Sequence, residues 1–425
     1  MTLRTGGLIF MSAAAVAISS SFSAFAQQAP SPPLVIQIGV DLIQLDAAVT
    51  DKAGRPVTDL RPEDFTLEID GRKHPVANAA YFGQAPDAVR AAEGEDGGKS
   101  DCTVVFIVDD LNMSFGSMYA TREALARFAQ EMGSSRPLVA LRLASDEEGR
   151  FTLYRSADRF ATAARALRYN IRSSKGVSSV RAASQTSSVS IATTLNRTPL
   201  TPEAVSALTP TEERRNLEQR AFSLVSTINT LRGIPGRKAV VYVSEGFYVD
   251  NRTQAQLDTG FPFSSLFDDT NISAALRMIT EVANRASVVL YTVDPRGLMG
   301  DFIGVADNVS SDAASDVMRS RADARMGSQA TLQYLADDTG GLAIANRNDL
   351  KGGFGDVVRD QGAYYLIGFE PPESAFVKSS GRPRFHKIKL SVNRKGVRVR
   401  TRAGFYGVTD DEVSQRAPLA TSPDF

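Results

Sequence analysis

The sequence predicts an α/β protein with a doubly wound, mostly parallel sheet and accessory β segments at both ends. Between residues 102 and 360, continuous apolar runs, typical of strands buried on both faces, alternate with amphipathic helical stretches. Short period-2 patterns bounded by turn residues precede and follow this region. An alternation of strands and helices favours a parallel sheet covered by helices.

The first 26 residues have the features of a secretory signal peptide. Arg4 is their only charge, an apolar and small-residue stretch follows, and Ala24-Phe25-Ala26 forms an A-x-A cleavage site. Serines interrupt the apolar stretch, which argues against a membrane-spanning helix. We expect cleavage after Ala26, a periplasmic or secreted product, and no stable membrane insertion.

Composition divides the rest of the chain into segments. Within the α/β region, residues 172–213 are rich in Ser and Thr and lack periodicity, which predicts a long surface insertion. The final β hairpin is a candidate to pack with the N-terminal β module, which the sequence alone leaves open. The predicted segments are a linker (27–35), an N-terminal β module (36–85), a second linker (86–101), the α/β domain (102–360), a C-terminal β segment (361–408) and a disordered tail (409–425).

Composition also limits the possible functions. Lys and Arg together number 48, as do Asp and Glu, so bulk charge does not indicate a nucleic-acid or membrane partner. The single cysteine excludes an internal disulfide. With only two histidines, the chain has few residues from which to build a zinc site or a Ser-His-Asp triad. We predict His74 in a turn and His386 on a strand, both at the surface. The sequence therefore favours a binding protein over an enzyme.

Acidic residues follow every apolar strand run of the α/β region. The carboxyl ends of parallel strands meet at one edge of a sheet, where ligands bind in this class of fold. Such residues also cap helices and form turns, so a purely structural role stays open. The four strand ends are Asp109-Asp110, Ser145-Asp146, Ser244-Glu245 and Asp294.

One of these ends has a spacing suited to a metal ion. Asp110, Asn112 and Ser114 follow one another at every second position, so an extended turn would aim all three at one ion. Carboxylate, amide and hydroxyl oxygens suit hard cations such as Mg²⁺, Ca²⁺ or Mn²⁺. We predict a cation site here, with Asp109, Asp146, Ser244 and Asp294 as neighbours.

The stretch from Val104 to Ser114 resembles the opening of a von Willebrand factor A-type domain, in which an apolar strand runs into an Asp-x-Ser-x-Ser metal-ion-dependent adhesion site. The chain as a whole is similar to the VWFA-related domain family of acidobacterial-type exported proteins over residues 36–407. The matching stretches are 49–57, 63–65, 109–112, 235–238, 243–247, 291–297, 339–341, 365–369 and 402–406.

This resemblance implies a Rossmann-like sheet that binds a protein or a matrix, often through a metal ion that accepts a carboxylate from the partner. It implies no reaction. Asp110, Asn112, Ser114 and Glu245 correspond to the metal ligands. Asn112 replaces a serine, Glu245 replaces an aspartate, and a middle-loop threonine has no clear counterpart.

We therefore expect an exported interaction module that binds a protein or envelope-surface partner through the strand ends. The first alternative is an assembly component of an envelope complex with a vestigial metal site. The second is a metal-dependent hydrolase, which ranks last because no general base or nucleophile stands out in the sequence.

Overall fold

A computed structural model describes residues 43–83, 102–131, 138–146, 151–170, 202–234, 237–247, 270–298, 311–376 and 384–406. The predicted signal peptide, both linkers, the tail and residues 172–201 of the predicted insertion lie outside the described residues. Those assignments stay predictions. Within the described ranges, no helix combines the length and apolar character needed to cross a membrane.

The described residues begin and end in strands, with alternating strands and helices between. The strands are β1 (Ile43–Asp51), β2 (Phe65–Ile69), β3 (Arg72–His74), β4 (Asn78–Phe82), β5 (Thr103–Val108), β6 (Leu138–Leu143), β7 (Thr152–Tyr154), β8 (Lys238–Val243), β9 (Val288–Val293), β10 (Ala343–Ile344), β11 (Tyr364–Phe369), β12 (Phe385–Val392), β13 (Val397–Thr401) and β14 (Gly404–Tyr406). The helices are α1 (Phe115–Glu131), α2 (Ala157–Ala166), α3 (Pro202–Leu231), α4 (Thr270–Ala286), α5 (Ser311–Thr339) and α6 (Leu350–Gln361).

The central layer is a six-stranded sheet with the order β7-β6-β5-β8-β9-β10. Its neighbouring strands are parallel except for β7, which pairs with β6 in the antiparallel sense. Strand order reverses between β5 and β8, which is the point where ligands bind in doubly wound sheets. Val108 lies opposite both Leu143 and Val243, so the ends of three central strands are level.

Helices cover both faces of this sheet, because its strands are apolar on both sides. Helices α1, α2 and α6 pack on one face, where Phe106 contacts the rings of Phe128 and Phe354. Helices α3, α4 and α5 pack on the other face against residues such as Val105 and Ile107. This arrangement confirms the predicted mostly parallel α/β sheet with helices on both sides.

Helix α3 corrects one predicted boundary. Its first twelve residues, 202–213, belong to the segment predicted as an irregular insertion, yet they are helical. The sequence did not predict a helix here because Ser, Thr and Pro interrupt this half of it. The second half has the expected stripe of buried residues at three- and four-residue spacing, namely Leu217, Ala221, Leu224, Ile228 and Leu231.

The two ends of the described chain form one β sandwich. Its sheets have the orders β13-β1-β11-β4 and β14-β12-β2-β3, and all strand pairs are antiparallel. Alternate residues of each strand point inward, so Leu45, Leu67 and Ile367 share a buried core. The N-terminal and C-terminal β segments therefore pair directly with each other.

His386 lies on a strand as predicted, but its predicted surface position and the predicted turn at His74 are wrong. His386 was expected at the surface but is buried on β12, with Nδ1 2.8 Å from Asp70 Oδ2 and Nε2 3.1 Å from the carbonyl oxygen of Ala375. The period-2 pattern of β12 explains this, because its basic residues alternate with inward-facing positions. His74 ends strand β3 and is not part of a turn.

A polar network joins the sandwich to the α/β domain. The Arg237 guanidinium lies over the Tyr364 ring at 4.4 Å and donates to the carbonyl oxygen of Asp360 at 2.9 Å. The Asp360 carboxylate accepts hydrogen bonds from Tyr291 and Arg400. Arg400 lies on β13 of the sandwich and Asp360 in α6, so this hydrogen bond joins the two domains.

Candidate functional site

The predicted acidic residues lie at the carboxyl ends of the parallel strands. Asp109, Ser244 and Asp294 directly follow β5, β8 and β9, and Asp146 lies three residues beyond β6. Because these strands are in register, their ends share one edge of the sheet. We call this edge the strand-end face and define it as residues 109–115, 119, 144–146, 244–247 and 294–298.

Asp109 is the most deeply buried acid of this face, with no exposed surface. Its Oδ2 accepts hydrogen bonds from Tyr242 Oη at 2.7 Å and Ser244 Oγ at 2.5 Å, and Arg220 Nη1 lies 3.5 Å away. Burial raises the pKa of Asp109, while Arg220 and the two hydroxyl groups oppose the rise. The same burial, beside the Asp109 carboxylate, raises the pKa of Tyr242 far above its ordinary value.

Arg220 extends from α3 into the space between β5 and β8. Besides contacting Asp109, its Nη1 donates to the carbonyl oxygen of Gly246 at 3.3 Å, and its guanidinium lies over the Phe247 ring at 4.6 Å. Its side chain is only 4% exposed. Arg220 was not among the predicted site residues, although it lies three residues after Leu217 and four before Leu224, on the buried stripe of the helix.

Three of the four predicted metal ligands form hydrogen bonds between the loops that follow β5 and β8, namely Asn112, Ser114 and Glu245. The backbone N–H of Ser114 donates to Glu245 Oε1 at 2.7 Å, and Asn112 Nδ2 donates to the Gly246 carbonyl oxygen at 2.7 Å. Asp110 turns instead toward the end of β6. Its carboxylate accepts hydrogen bonds from the backbone N–H of Ser145 at 3.0 Å and from Asn170 at 3.3 Å.

Gly246 fixes the loop after β8 in place. Its φ of +89° lies in the left-handed region, and an added Cβ would be 2.2 Å from the carbonyl oxygen of Ser328 in α5. Only glycine fits both conditions. The turn directs the Gly246 carbonyl oxygen at Arg220 and Asn112, so the loop and the polar network depend on each other.

Asp294 belongs to a separate cluster at the end of β9. Arg296 donates to both of its carboxylate oxygens, at 2.8 and 2.7 Å, and Gln329 donates to Oδ2 at 2.8 Å. Burial alone would raise the pKa of Asp294, but these hydrogen bonds and the Arg296 charge outweigh it, so the pKa is lowered. Asp146 contributes its carbonyl oxygen, which accepts from Arg142 at 2.8 Å.

The oxygen atoms of the predicted metal ligands are not arranged to hold a divalent cation. Both oxygens of Asp110 and Oε1 of Glu245 already accept hydrogen bonds from N–H groups. Asp109 Oδ1 is buried without a hydrogen-bond partner, but its carboxylate faces the fixed positive charge of Arg220, which would repel a second cation. In the part of the chain that the structure describes, no three His, Cys, Asp or Glu side chains form a group that could hold a metal. Calorimetry with divalent cations tests the sequence-based prediction of a cation site against this arrangement.

Large apolar side chains are exposed beside the buried acids. Phe115 and Tyr119, one turn apart at the start of α1, are 68% and 54% exposed, and Leu298 after β9 is 65% exposed. The Phe115 ring packs edge-on against Tyr169 at 5.6 Å, and Arg122 lies 5.7 Å from the centre of the Tyr119 ring. The exposed surface of this face is therefore largely apolar and aromatic, whereas four of its five acidic side chains are buried.

Comparisons with known proteins identify no family for this chain. No protein-family profile matches it, and no curated protein matches it. The crystal structure of the human COPII-coat protein Sec24c matches with 8% sequence identity and a TM-score of 0.27, over 77% of this chain and 46% of that chain, so this chain spans less than half of its length. The crystal structure of the TFIIH p34 N-terminal domain matches with 14% identity and a TM-score of 0.22, over 61% and 100% of the two chains. Agreement this low carries no argument about function.

Proposed function

We propose that this protein is a von Willebrand factor A-like interaction module that is exported and binds a protein or envelope-surface partner through its strand-end face. A contrast at this face supports the proposal. Its buried acidic side chains are hydrogen-bonded within the protein, whereas the side chains of Phe115, Tyr119 and Leu298 are exposed. Aromatic residues are enriched in protein interfaces and supply much of their binding energy.

The geometry supports binding better than catalysis. Asp109, Asp110 and Asp294 are almost fully buried, and each accepts hydrogen bonds from neighbouring protein groups. A general base or nucleophile must reach the substrate atom on which it acts. Residues held in this way instead shape the loops that carry the exposed aromatic side chains.

Partner capture from a native envelope extract tests this proposal. The informative variant is F115S/Y119S, because both side chains are exposed and their loss leaves the buried network intact. The matched control is F222S/M278S, which removes exposed apolar side chains from α3 and α4 on the flank of the sheet. We expect the first variant to lose capture and the control to keep it, with unchanged circular dichroism in both. Equal capture by both variants would contradict binding through the strand-end face.

An assembly role is the second candidate, and the β sandwich supports it. Its two sheets end in β13, β4, β14 and β3, whose outer edges have no neighbouring strand in the described sheets. Open edges can pair with a strand from another chain. Capture that survives F115S/Y119S but is lost when a proline replaces Ala80 in the edge strand β4 would favour this role.

A further inference from the structure

Arg220 lies between the two strand ends that carry the predicted metal ligands. Asp109 is the first residue after β5, and Gly246 belongs to the loop after the neighbouring strand β8. The Arg220 guanidinium contacts both, at 3.5 Å from Asp109 Oδ2 and 3.3 Å from the Gly246 carbonyl oxygen. It therefore bridges the same two strand ends that a bound cation would connect.

We propose that the Arg220 guanidinium is a built-in cation of the strand-end face, which balances the buried Asp109 carboxylate and makes this face complete without a divalent metal. A guanidinium suits this place because it is planar, remains charged and donates several hydrogen bonds in fixed directions. The Phe247 ring beneath it adds a cation–π contact at 4.6 Å.

The surrounding groups hold the Asp109 carboxylate and the Gly246 loop in place beside Arg220. Tyr242 and Ser244 donate to the same Asp109 oxygen that faces Arg220, and Ser244 Oγ also accepts from the backbone N–H of Gly246 at 2.9 Å. Asn112 donates to the Gly246 carbonyl oxygen, so the loop is bonded on both sides. These contacts link α3, β5 and β8 through protein groups alone.

The proposed role of Arg220 concerns the same face as the proposed function. Its test requires no binding partner, so a failure of one proposal can be distinguished from a failure of the other. Thermal unfolding of the unmodified chain is measured with EDTA and with excess Mg²⁺, Ca²⁺ or Mn²⁺, together with isothermal calorimetry. We expect the same Tm in all four conditions and no heat of binding. A Tm raised by any of these ions, with saturable heat, would overturn the inference.

Two substitutions test whether the charge of Arg220 matters. R220K keeps a positive charge, whereas R220M removes it at similar length. We expect R220M to lower the Tm by roughly 5–10 °C and R220K to lower it clearly less. An R220M variant with the same Tm as the unmodified chain would show that Arg220 only fills space. If R220M does not fold, the metal titration of the unmodified chain still decides the question.

Discussion

The pairing of Arg220 with Asp109 makes a quantitative prediction for stability. Both side chains are almost completely buried, with 4% and 0% exposure, so solvent screens their interaction little. Removing one member of a buried pair leaves the other uncompensated and typically costs about 3–5 kcal/mol. We therefore expect R220M and D109N each to lose stability in this range, and D109N/R220M to lose clearly less than the sum of the two.

The charge contribution to the R220M loss has an upper limit. A carboxylate left alone can be neutralised by taking up a proton, which at pH 7 costs about 4 kcal/mol for a group with an ordinary pKa near 4. The D109N loss has no such limit, because a guanidinium does not release its proton. We expect the double-mutant cycle to give a coupling energy of about 2 kcal/mol or more.

Urea unfolding followed by far-UV circular dichroism measures this cycle, since the chain has no tryptophan for fluorescence. The control is R142M, which removes another buried arginine whose Nη1 donates to the hydroxyl groups of Ser226 and Thr227. R142M combined with D109N should give additive losses, to within about 0.5 kcal/mol. A coupling energy below about 0.5 kcal/mol for Arg220 and Asp109 would show that the two charges do not stabilise each other.

Three further perturbations test the surrounding structure. G246A should lose more than about 2 kcal/mol in urea unfolding because it adds left-handed strain and a backbone clash, whereas G54A, at φ +76° with open space around its Cβ, should lose about 1–2 kcal/mol. The pKa of Asp294 is lowered in the folded state, so its ionised form stabilises the fold above about pH 4. This stabilisation is lost as the pH falls through the pKa of the folded state. The Tm of D294N should therefore fall less on acidification than the Tm of the unmodified chain. D360N weakens the bond to Arg400 that joins the domains, and we expect calorimetry to resolve two unfolding transitions where the unmodified chain gives one.

The parallel sheet was predictable from sequence because its strands are buried on both faces. Runs such as Val104–Val108 consist entirely of apolar residues, and the first polar residue after each run marks the strand end. The position of Asp109 and Asp294 at one edge follows from this pattern and from the parallel arrangement. Local sequence was sufficient because each of these features depends on only a few consecutive residues.

Features that depend on contacts distant in sequence were not predictable in the same way. The partner of Asp109 is 111 residues away in α3, a helix whose first half lacks an apolar stripe. The partner of His386 is 316 residues away in the sandwich. Composition placed His386 at the surface because its neighbours are basic, whereas strand periodicity alone would have directed it inward.

Partner capture in the presence of excess EDTA tests whether the strand-end face binds its partner without a divalent metal. We expect the unmodified chain to capture its partner equally well with EDTA and with Mg²⁺ or Ca²⁺, and F115S/Y119S to capture none in either condition. Capture that requires a divalent cation, or that F115S/Y119S retains in full, would contradict metal-independent binding through the strand-end face.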